Sequence, residues 1–391
     1  MKNSAPWRFI FLIGIVSLFA DITYEGGRGL AGPFLFSLGA SATAVGFISG
    51  LGEMIGYGLR LLFGMWSQRT GRYWGFTLTG FAINLAAVPL LALAGTWPVA
   101  SALLVCERFG KAIRAPSKDT LLSHATSAVG HGKGFGFHQA MDQLGAMLGP
   151  LIGAYALLIW GGYRGAFALL AIPAALAMII LFFASRVFPN PARFESDTDS
   201  APLVDGKLPR AYWIYLIGAG LLAFGFADFS LIAFHLIKNG ILTQVQAPLG
   251  YSLAMGVGAV TAFSFGLLFD RVGLKLLPLA SVLAAVATPL AFSNSLHVCI
   301  AGIVLWAATL GAQDSSLKAG IAKLVPKTRR AGAYGIFHAV FGVAWFLGSA
   351  AMGWLYDHNL HGVIVLAIAA QILSAIAFIV AGSSEKSAAI A

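Results

Sequence analysis

The chain has 391 residues, of which 58% are hydrophobic and only 10% are charged, and its formal net charge is +10. Soluble domains carry about 25% charged residues, so this composition excludes a water-soluble protein and predicts an integral membrane protein. The two cysteines, Cys106 and Cys299, lie in different apolar segments and imply no disulfide framework.

Apolar segments recur along the whole chain. Each is close to the length of about 20 residues that a transmembrane helix needs, and together they predict an all-α membrane protein with twelve transmembrane helices. The predicted helices are 8–36, 42–66, 73–95, 97–117, 134–159, 164–188, 211–237, 243–269, 276–293, 296–318, 334–356 and 363–382. The polar segment 189–210 separates the first six from the last six. We therefore predict two six-helix bundles, 1–188 and 211–391, joined by a cytoplasmic linker.

Basic residues between the predicted helices are distributed unevenly. With both termini inside, the outer loops hold only Arg164 and Lys238, and the other loop lysines and arginines lie on the inner side. The bias of basic residues to the cytoplasmic side predicts a multi-pass protein of the prokaryotic inner membrane with cytoplasmic termini. The same bias explains the net charge without a nucleic-acid partner.

Two loops and two helix segments repeat between the predicted bundles. The loop after the second helix reads GMWSQRTGRYW, and the loop after the eighth reads GLLFDRVGLKLL. The first helix carries FADI from Phe19, and the seventh carries FADF from Phe226. We predict a conformational role for the loop residues Gly64, Arg69, Gly71, Arg72, Gly266, Asp270, Arg271 and Gly273. Internal repetition of this kind indicates a transporter built from two related halves.

The first of these loops resembles the G-x-x-x-D-R-x-G-R signature of the major facilitator superfamily, with Gln68 where the family has Asp. The fifth helix is similar to a pattern of the family's proton-coupled antiporters, which matches at Gly136, Gly145, Gly149, Pro150 and Gly153. FADITYE, ERFGKAIRAPSKD and GFGFHQAMDQLGAMLGP resemble a branch of prokaryotic permeases. The resemblance implies a major facilitator fold of two pseudo-symmetric six-helix bundles and transport by alternating access. It also implies that Gly145 and Gly149 meet the second bundle, at the eighth helix.

Ionisable side chains within the predicted helices are candidates for function, because a charge at mid-bilayer costs about 2.5 to 3.5 kcal/mol on insertion scales. We predict proton coupling for Asp21, Glu25 and Asp142. The predicted substrate-cavity residues are Arg28, Glu53, Arg108, Asp228 and His235. Structural ion pairing is the alternative role of the acidic and arginine residues. We expect His235 near the outer mouth, where its alternative is a solvated side chain. We expect Arg114, Lys118 and Asp119 to lie at the membrane interface and His138 to be a packing or capping group.

Asp21 and Glu25 are one helical turn apart, with Arg28 on the same face. Two carboxylates so close in a low-dielectric site cannot both ionise easily, so one of them is suited to carry a proton. Arg108 is a candidate counter-ion for the pair. Arg28 either neutralises Glu25 or contacts an anionic or zwitterionic substrate.

These features predict a secondary transporter of a small molecule, with proton-coupled export (antiport) as the leading mode. The alternatives are a proton-coupled importer of an organic anion, a divalent-metal carrier using Asp21, Asp228 and His235, and a non-transporting membrane receptor. The sequence has no Gly-x-Ser-x-Gly elbow, no phosphate-binding loop and no metal-ligand spacing. We therefore expect that the protein is not an enzyme and not an ATP-driven pump. We expect a monomer in the lipid bilayer that uses the proton gradient and needs no metal or cofactor.

Overall fold

The structure, a computed structural model, describes residues 4–129, 131–194, 208–326 and 329–390. Every regular element within these ranges is helical. The α-helices are α1 (Ser4–Ser37), α2 (Ala42–Thr70), α3 (Tyr73–Leu90), α4 (Trp97–Val129), α5 (His131–Trp160), α6 (Tyr163–Leu169), α7 (Ala171–Val187), α8 (Arg210–Phe224), α9 (Phe229–Lys238), α10 (Gln246–Val272), α11 (Leu277–Ala291), α12 (Leu296–Leu324), α13 (Arg330–His358) and α14 (Leu360–Ile390). Short 3-10 turns cover Leu91–Leu93, Pro191–Phe194 and Gly273–Leu276.

These fourteen helices account for the twelve predicted spans, because α6 with α7 and α8 with α9 each correspond to one predicted helix. Among the described residues, nine segments are long and apolar enough to cross a membrane, and one of them, 246–291, contains both α10 and α11. The helices α2 and α4 have the length of a span and are more polar. The prediction of an all-α membrane protein is confirmed.

The chain forms two compact units. The first comprises Met1–Gly39, Gly58–Ser200 and Gln244–Ser252, and the second comprises Ala40–Tyr57, Ala201–Thr243 and Leu253–Ala391. The start of α10 thus belongs to the first unit, and the first half of α2 belongs to the second. The division of the chain at the linker 189–210 stays a prediction, and residues 195–207 of that linker lie outside the described residues.

In the first unit, α4 continues to Val129, twelve residues beyond its predicted end at Ser117. Its second part is polar, and hydroxyl groups there donate to carbonyls one turn back, as Thr120 Oγ1 does to Pro116 O at 2.9 Å. The predicted end was wrong because hydropathy marks where a membrane span ends, whereas a helix can continue into water. Arg114 and Lys118 therefore lie inside a long helix.

In the second unit, the predicted continuous helix 211–237 is interrupted between α8 and α9. Asp228 begins the new helix as its N-cap, and its carboxylate accepts from Ser230 N at 2.9 Å. The indole Nε1 of Trp306 donates to Ala227 O at 2.8 Å, and Gln371 Nε2 donates to Leu222 O at 3.0 Å. Side chains of α12 and α14 thus satisfy carbonyls that the interruption leaves without helical partners.

The two loops that repeat in the sequence also repeat in conformation. Gly71 has φ +64° and Gly273 has φ +67°, a left-handed backbone that glycine adopts without steric cost. Arg69, Arg72 and Asp270 are exposed in these loops. The conformational role predicted for the loops stays a prediction.

Removing the cap at the helix interruption tests its structural contribution. Asp228→Ala deletes the acceptor for Ser230 N and should lower the free energy of unfolding by about 1 kcal/mol. Asp228→Ser keeps a capping oxygen and should lose much less. Thermal unfolding of the purified protein in detergent measures both. Equal losses in the two variants would mean that the negative charge matters at this position and the cap does not.

Candidate functional site

The helices α1 and α5 approach closely where α5 carries its glycines. A Cβ on Gly145 would lie 2.5 Å from Leu18 O and 2.7 Å from Asp21 Cβ. A Cβ on Gly149 would collide with Ile22 O and with the backbone of Gly26. The two glycines face α1, and the eighth predicted helix meets α5 between them, where Ser252 Oγ donates to Met147 O at 2.8 Å. Only glycine allows two backbones to come this close.

This contact brings two carboxylates of the first unit within electrostatic range of each other. Asp21 is 6% exposed and interacts electrostatically with Asp142 of α5. Asp142 Oδ2 lies 3.3 Å from Nδ1 of His138. The structure therefore brings together two of the three residues predicted for proton coupling.

His138 links Asp142 to α1 and α4. Its Nε2 is 2.7 Å from Ser17 Oγ and 3.2 Å from Lys118 Nζ. Because a lysine ammonium can only donate, Nε2 accepts, and Nδ1 carries the proton that faces Asp142. His138, which was expected to be a packing or capping group, is thus a buried member of a polar cluster.

Glu25, the third predicted coupling residue, is surrounded by donors. The hydroxyl of Tyr251, at the start of α10, donates to Glu25 Oε2 at 2.6 Å. Lys111 Nζ lies 3.9 Å from Glu25 Oε1, and the positive charges of Arg28 and Arg108 also act on this carboxylate. The predicted charge relation of Glu25 with both arginines is therefore present in the structure.

Arg108 also pairs with its neighbour on α4. Its Nε lies 3.2 Å from Oε2 of Glu107, whose Oε1 accepts from Asn84 Nδ2 at 2.6 Å. Asn84 belongs to α3, so this carboxylate connects α3 with α4. Arg108 therefore acts on two carboxylates, Glu107 at short range and Glu25 through its charge.

Arg114 and Lys118, which were expected at the membrane interface, are 4% and 8% exposed in the protein. The Arg114 guanidinium stacks over the ring of Phe81 at 4.2 Å and lies 5.2 Å from the ring centre of Tyr24. The Asp119 side chain is 60% exposed, and its Oδ1 lies 3.6 Å from Nζ of Lys118. The depth of these residues in the membrane stays a prediction.

The remaining predicted cavity residues belong to the second unit. Glu53 and Asp228 are buried, and Asp228 caps α9. His235 was expected near an outer mouth but is 1% exposed, with Nδ1 2.9 Å from Tyr356 Oη and Nε2 3.1 Å from Ser293 O. Within the described ranges, no group of three His, Cys, Asp or Glu side chains could hold a metal ion. The substrate role of these residues stays a prediction.

Sequence reasoning missed Tyr251 and Tyr24, and it did not predict that Arg114 and Lys118 are buried in one cluster with Lys111. Tyr251 is 226 residues from Glu25, and no local spacing relates the two. The basic residues of α4 do leave a signal, because Lys111, Arg114 and Lys118 recur every three or four positions and so share one helix face.

Comparison with known proteins identifies the family to which the chain belongs. The model of the Major Facilitator Superfamily matches residues 10–288 and 242–389. An uncharacterized protein of Mycobacterium tuberculosis is 39% identical over 379 residues, covering 95% of this chain and 92% of the relative. The fosmidomycin resistance protein of Escherichia coli is 24% identical over 313 residues, 77% of this chain and 74% of the relative. The crystal structure of a POT family transporter in complex with 5-aminolevulinic acid matches with a TM-score of 0.77 at 15% identity, covering 96% of each chain.

The fold and the buried polar cluster define a multi-pass membrane transporter of small molecules rather than an enzyme. The chain belongs to the Major Facilitator Superfamily, and it is a secondary transporter. The superfamily predicted from the loop and helix motifs is confirmed.

The α1–α5 contact can be tested with a matched pair of glycines on α5. Gly149→Ala forces a Cβ into the backbone of α1 and should lower the free energy of unfolding by about 1 to 3 kcal/mol through overpacking. Gly136→Ala adds the same methyl group where nothing lies within 4 Å, and should be neutral or stabilising. Thermal unfolding in detergent compares the two, and equal effects would contradict the close helix contact.

Proposed function

We propose that the chain couples transport of a small molecule to the movement of protons across the prokaryotic inner membrane. Asp21 and Asp142 hold the transported proton. The observation that carries the proposal is the burial of Asp21 where α1 packs closely against α5, within electrostatic range of Asp142. Two carboxylates in a low-dielectric site cannot both be charged without a large Coulombic cost, so the pair is suited to bind and release a proton.

His138 supplies the pair with a hydrogen-bonded route for that proton. It connects Asp142 with Ser17 and Lys118. Glu25 is a weaker candidate for the proton, because Tyr251, Lys111 and the two arginines compensate its charge. In the proposed cycle, Glu25 stays an ion-pair partner while Asp21 and Asp142 change their protonation between the two faces of the membrane.

Export in exchange for protons is the first of two modes. The glycine pattern of α5 supports it, since it resembles the pattern of proton-coupled antiporters. The E. coli relative supports it further, because its name is that of a resistance protein. In this mode, substrate and proton bind alternately.

Uptake of an organic anion together with protons is the second mode. The basic residues Lys111, Arg114 and Lys118 on α4 favour it, because they provide positive charge beside the proton-binding carboxylates. In this mode, substrate and proton move together.

The orientation of the chain belongs to the same proposal. We place both termini in the cytoplasm, on the distribution of basic loop residues, and we propose a monomer that needs only the proton gradient and no cofactor. A monomer is supported because each half of the related fold carries its own bundle and the charged cluster is complete within one chain.

The coupling carboxylate is tested by removing its charge at constant size. A substrate is first found from growth of a deletion and an overexpression strain across a compound panel, and its flux into proteoliposomes is then measured with and without a pH gradient. Asp21→Asn should abolish gradient-driven flux and leave counterflow exchange in part, because exchange needs no net proton movement. Asp314→Asn changes an exposed carboxylate of α12 in the second unit and serves as the control.

The same assay separates the two modes. Export by exchange requires substrate to move against the proton flux, and uptake requires both to move in one direction. If Asp21→Asn retains gradient-driven flux near the wild-type rate, Asp21 does not carry the coupled proton.

A further inference from the structure

One face of α4 carries three basic residues, Lys111, Arg114 and Lys118, which we name the α4 basic face. Their spacing of three and four residues places them one turn apart along the helix. Arg114 and Lys118 are buried, and the Lys111 side chain is 21% exposed. Three buried charges of one sign in a row are costly unless something compensates them.

Two of the three basic residues have a carboxylate beside them. Lys111 Nζ lies 3.9 Å from Glu25 Oε1, and Lys118 Nζ lies 3.6 Å from Oδ1 of the exposed Asp119, whereas Arg114 forms no ion pair among the described residues. Among the side chains of α1, α4 and α5 that are not exposed, five are basic and four are acidic. The basic ones are Arg28, Arg108, Lys111, Arg114 and Lys118, and the acidic ones are Asp21, Glu25, Glu107 and Asp142. Every proton that Asp21 or Asp142 takes up increases the positive excess by one charge.

Arg114 is the residue where this excess is most evident. The Nε of its guanidinium is buried and has no hydrogen-bond partner among the described residues. The ring of Phe81 lies against the flat face of the Arg114 guanidinium. The N–H groups of the guanidinium therefore point outward in its plane, away from that ring. A planar row of N–H donors fits the two oxygens of a carboxylate or a phosphate.

We infer that the α4 basic face binds the anionic group, a carboxylate or a phosphate, of the transported substrate. This inference rests on the proposed function and adds the chemical class of the substrate. Arg114 donates to the oxygens of the anion, and Lys111, the most accessible of the three, adds a second charge within reach of Tyr24 and Glu25.

The inference also selects between the two transport modes. A bound anion adds one negative charge beside Asp21 and Asp142, which favours protonation of that pair. An anion that arrives with one proton leaves the net charge of the cluster unchanged. Substrate and proton therefore bind together, which is the condition for uptake with protons.

Matched pairs of charged and uncharged compounds test the site directly. Purified protein in detergent is titrated with benzoate, succinate, glycerol 3-phosphate and inorganic phosphate, and with the uncharged benzamide, succinamide and glycerol. We expect at least one anion to raise the melting temperature while its uncharged counterpart does not. Comparison of the carboxylates with the phosphates identifies which anionic group the site accepts.

Variants locate the binding at the α4 basic face. Arg114→Gln and Lys111→Gln should each raise the half-maximal concentration of the stabilising anion at least about tenfold, which is about 1.4 kcal/mol. Arg186→Gln, which removes an exposed arginine on α7, should leave it unchanged. Arg114→Lys retains the charge, so its half-maximal concentration should rise less than that of Arg114→Gln. It also provides a second variant for the measurement if Arg114→Gln does not fold.

The inference is overturned if none of the anions stabilises the wild-type protein, if the uncharged compounds stabilise it equally, or if the effect persists in Lys111→Gln and Arg114→Lys at full strength. Proton uptake on anion binding, followed with a pH electrode in weak buffer, is a separate readout. Binding with proton uptake supports the inference together with the coupling. Binding without uptake leaves the anion site in place and contradicts the proposed coupling.

Discussion

The close contact between α1 and α5 determines the arrangement of the whole charged cluster. Gly145 and Gly149 have no side chains, so the backbone of α5 lies directly against Leu18, Ile22 and Gly26. Any larger residue would separate the helices and with them Asp21 and Asp142. The position of His138 depends on the same contact, because its ring reaches Ser17 across the α1–α5 boundary. The glycines of the motif that resembles an antiporter pattern thus allow α5 to lie directly against α1.

Much of the fold could be predicted because membrane helices must be apolar over a fixed length. The count of twelve followed from that constraint, and the repeat of the two loops in sequence reappears in the structure as the left-handed glycines Gly71 and Gly273. The interruption between α8 and α9 could not be predicted, since its segment is as apolar as its neighbours. It depends on hydrogen bonds from Trp306 and Gln371, which lie far away in the sequence.

The candidate site was predictable where its members share one helix. Asp21, Glu25 and Arg28 form a stripe on α1 that helical periodicity reveals, and the structure confirms that they belong to one charged region. The remaining members come from tertiary packing. Tyr251 reaches Glu25 from the start of α10, and the burial of Arg114 depends on the aromatic rings of α1 and α3 that receive it. Hydropathy predicts how deep such residues lie in the membrane, but it does not predict which residues lie next to them.

The repeated FADI and FADF segments place the same residue type in two different structural settings. In the first copy Asp21 lies within a continuous helix, and its buried carboxylate interacts electrostatically with Asp142. In the second copy Asp228 begins a new helix, and its carboxylate accepts a hydrogen bond from the amide of Ser230. The second aspartate therefore has a backbone group as its partner, whereas the first belongs to a cluster of side chains. Similarity in sequence between the two halves thus does not imply that matching positions have the same local structure.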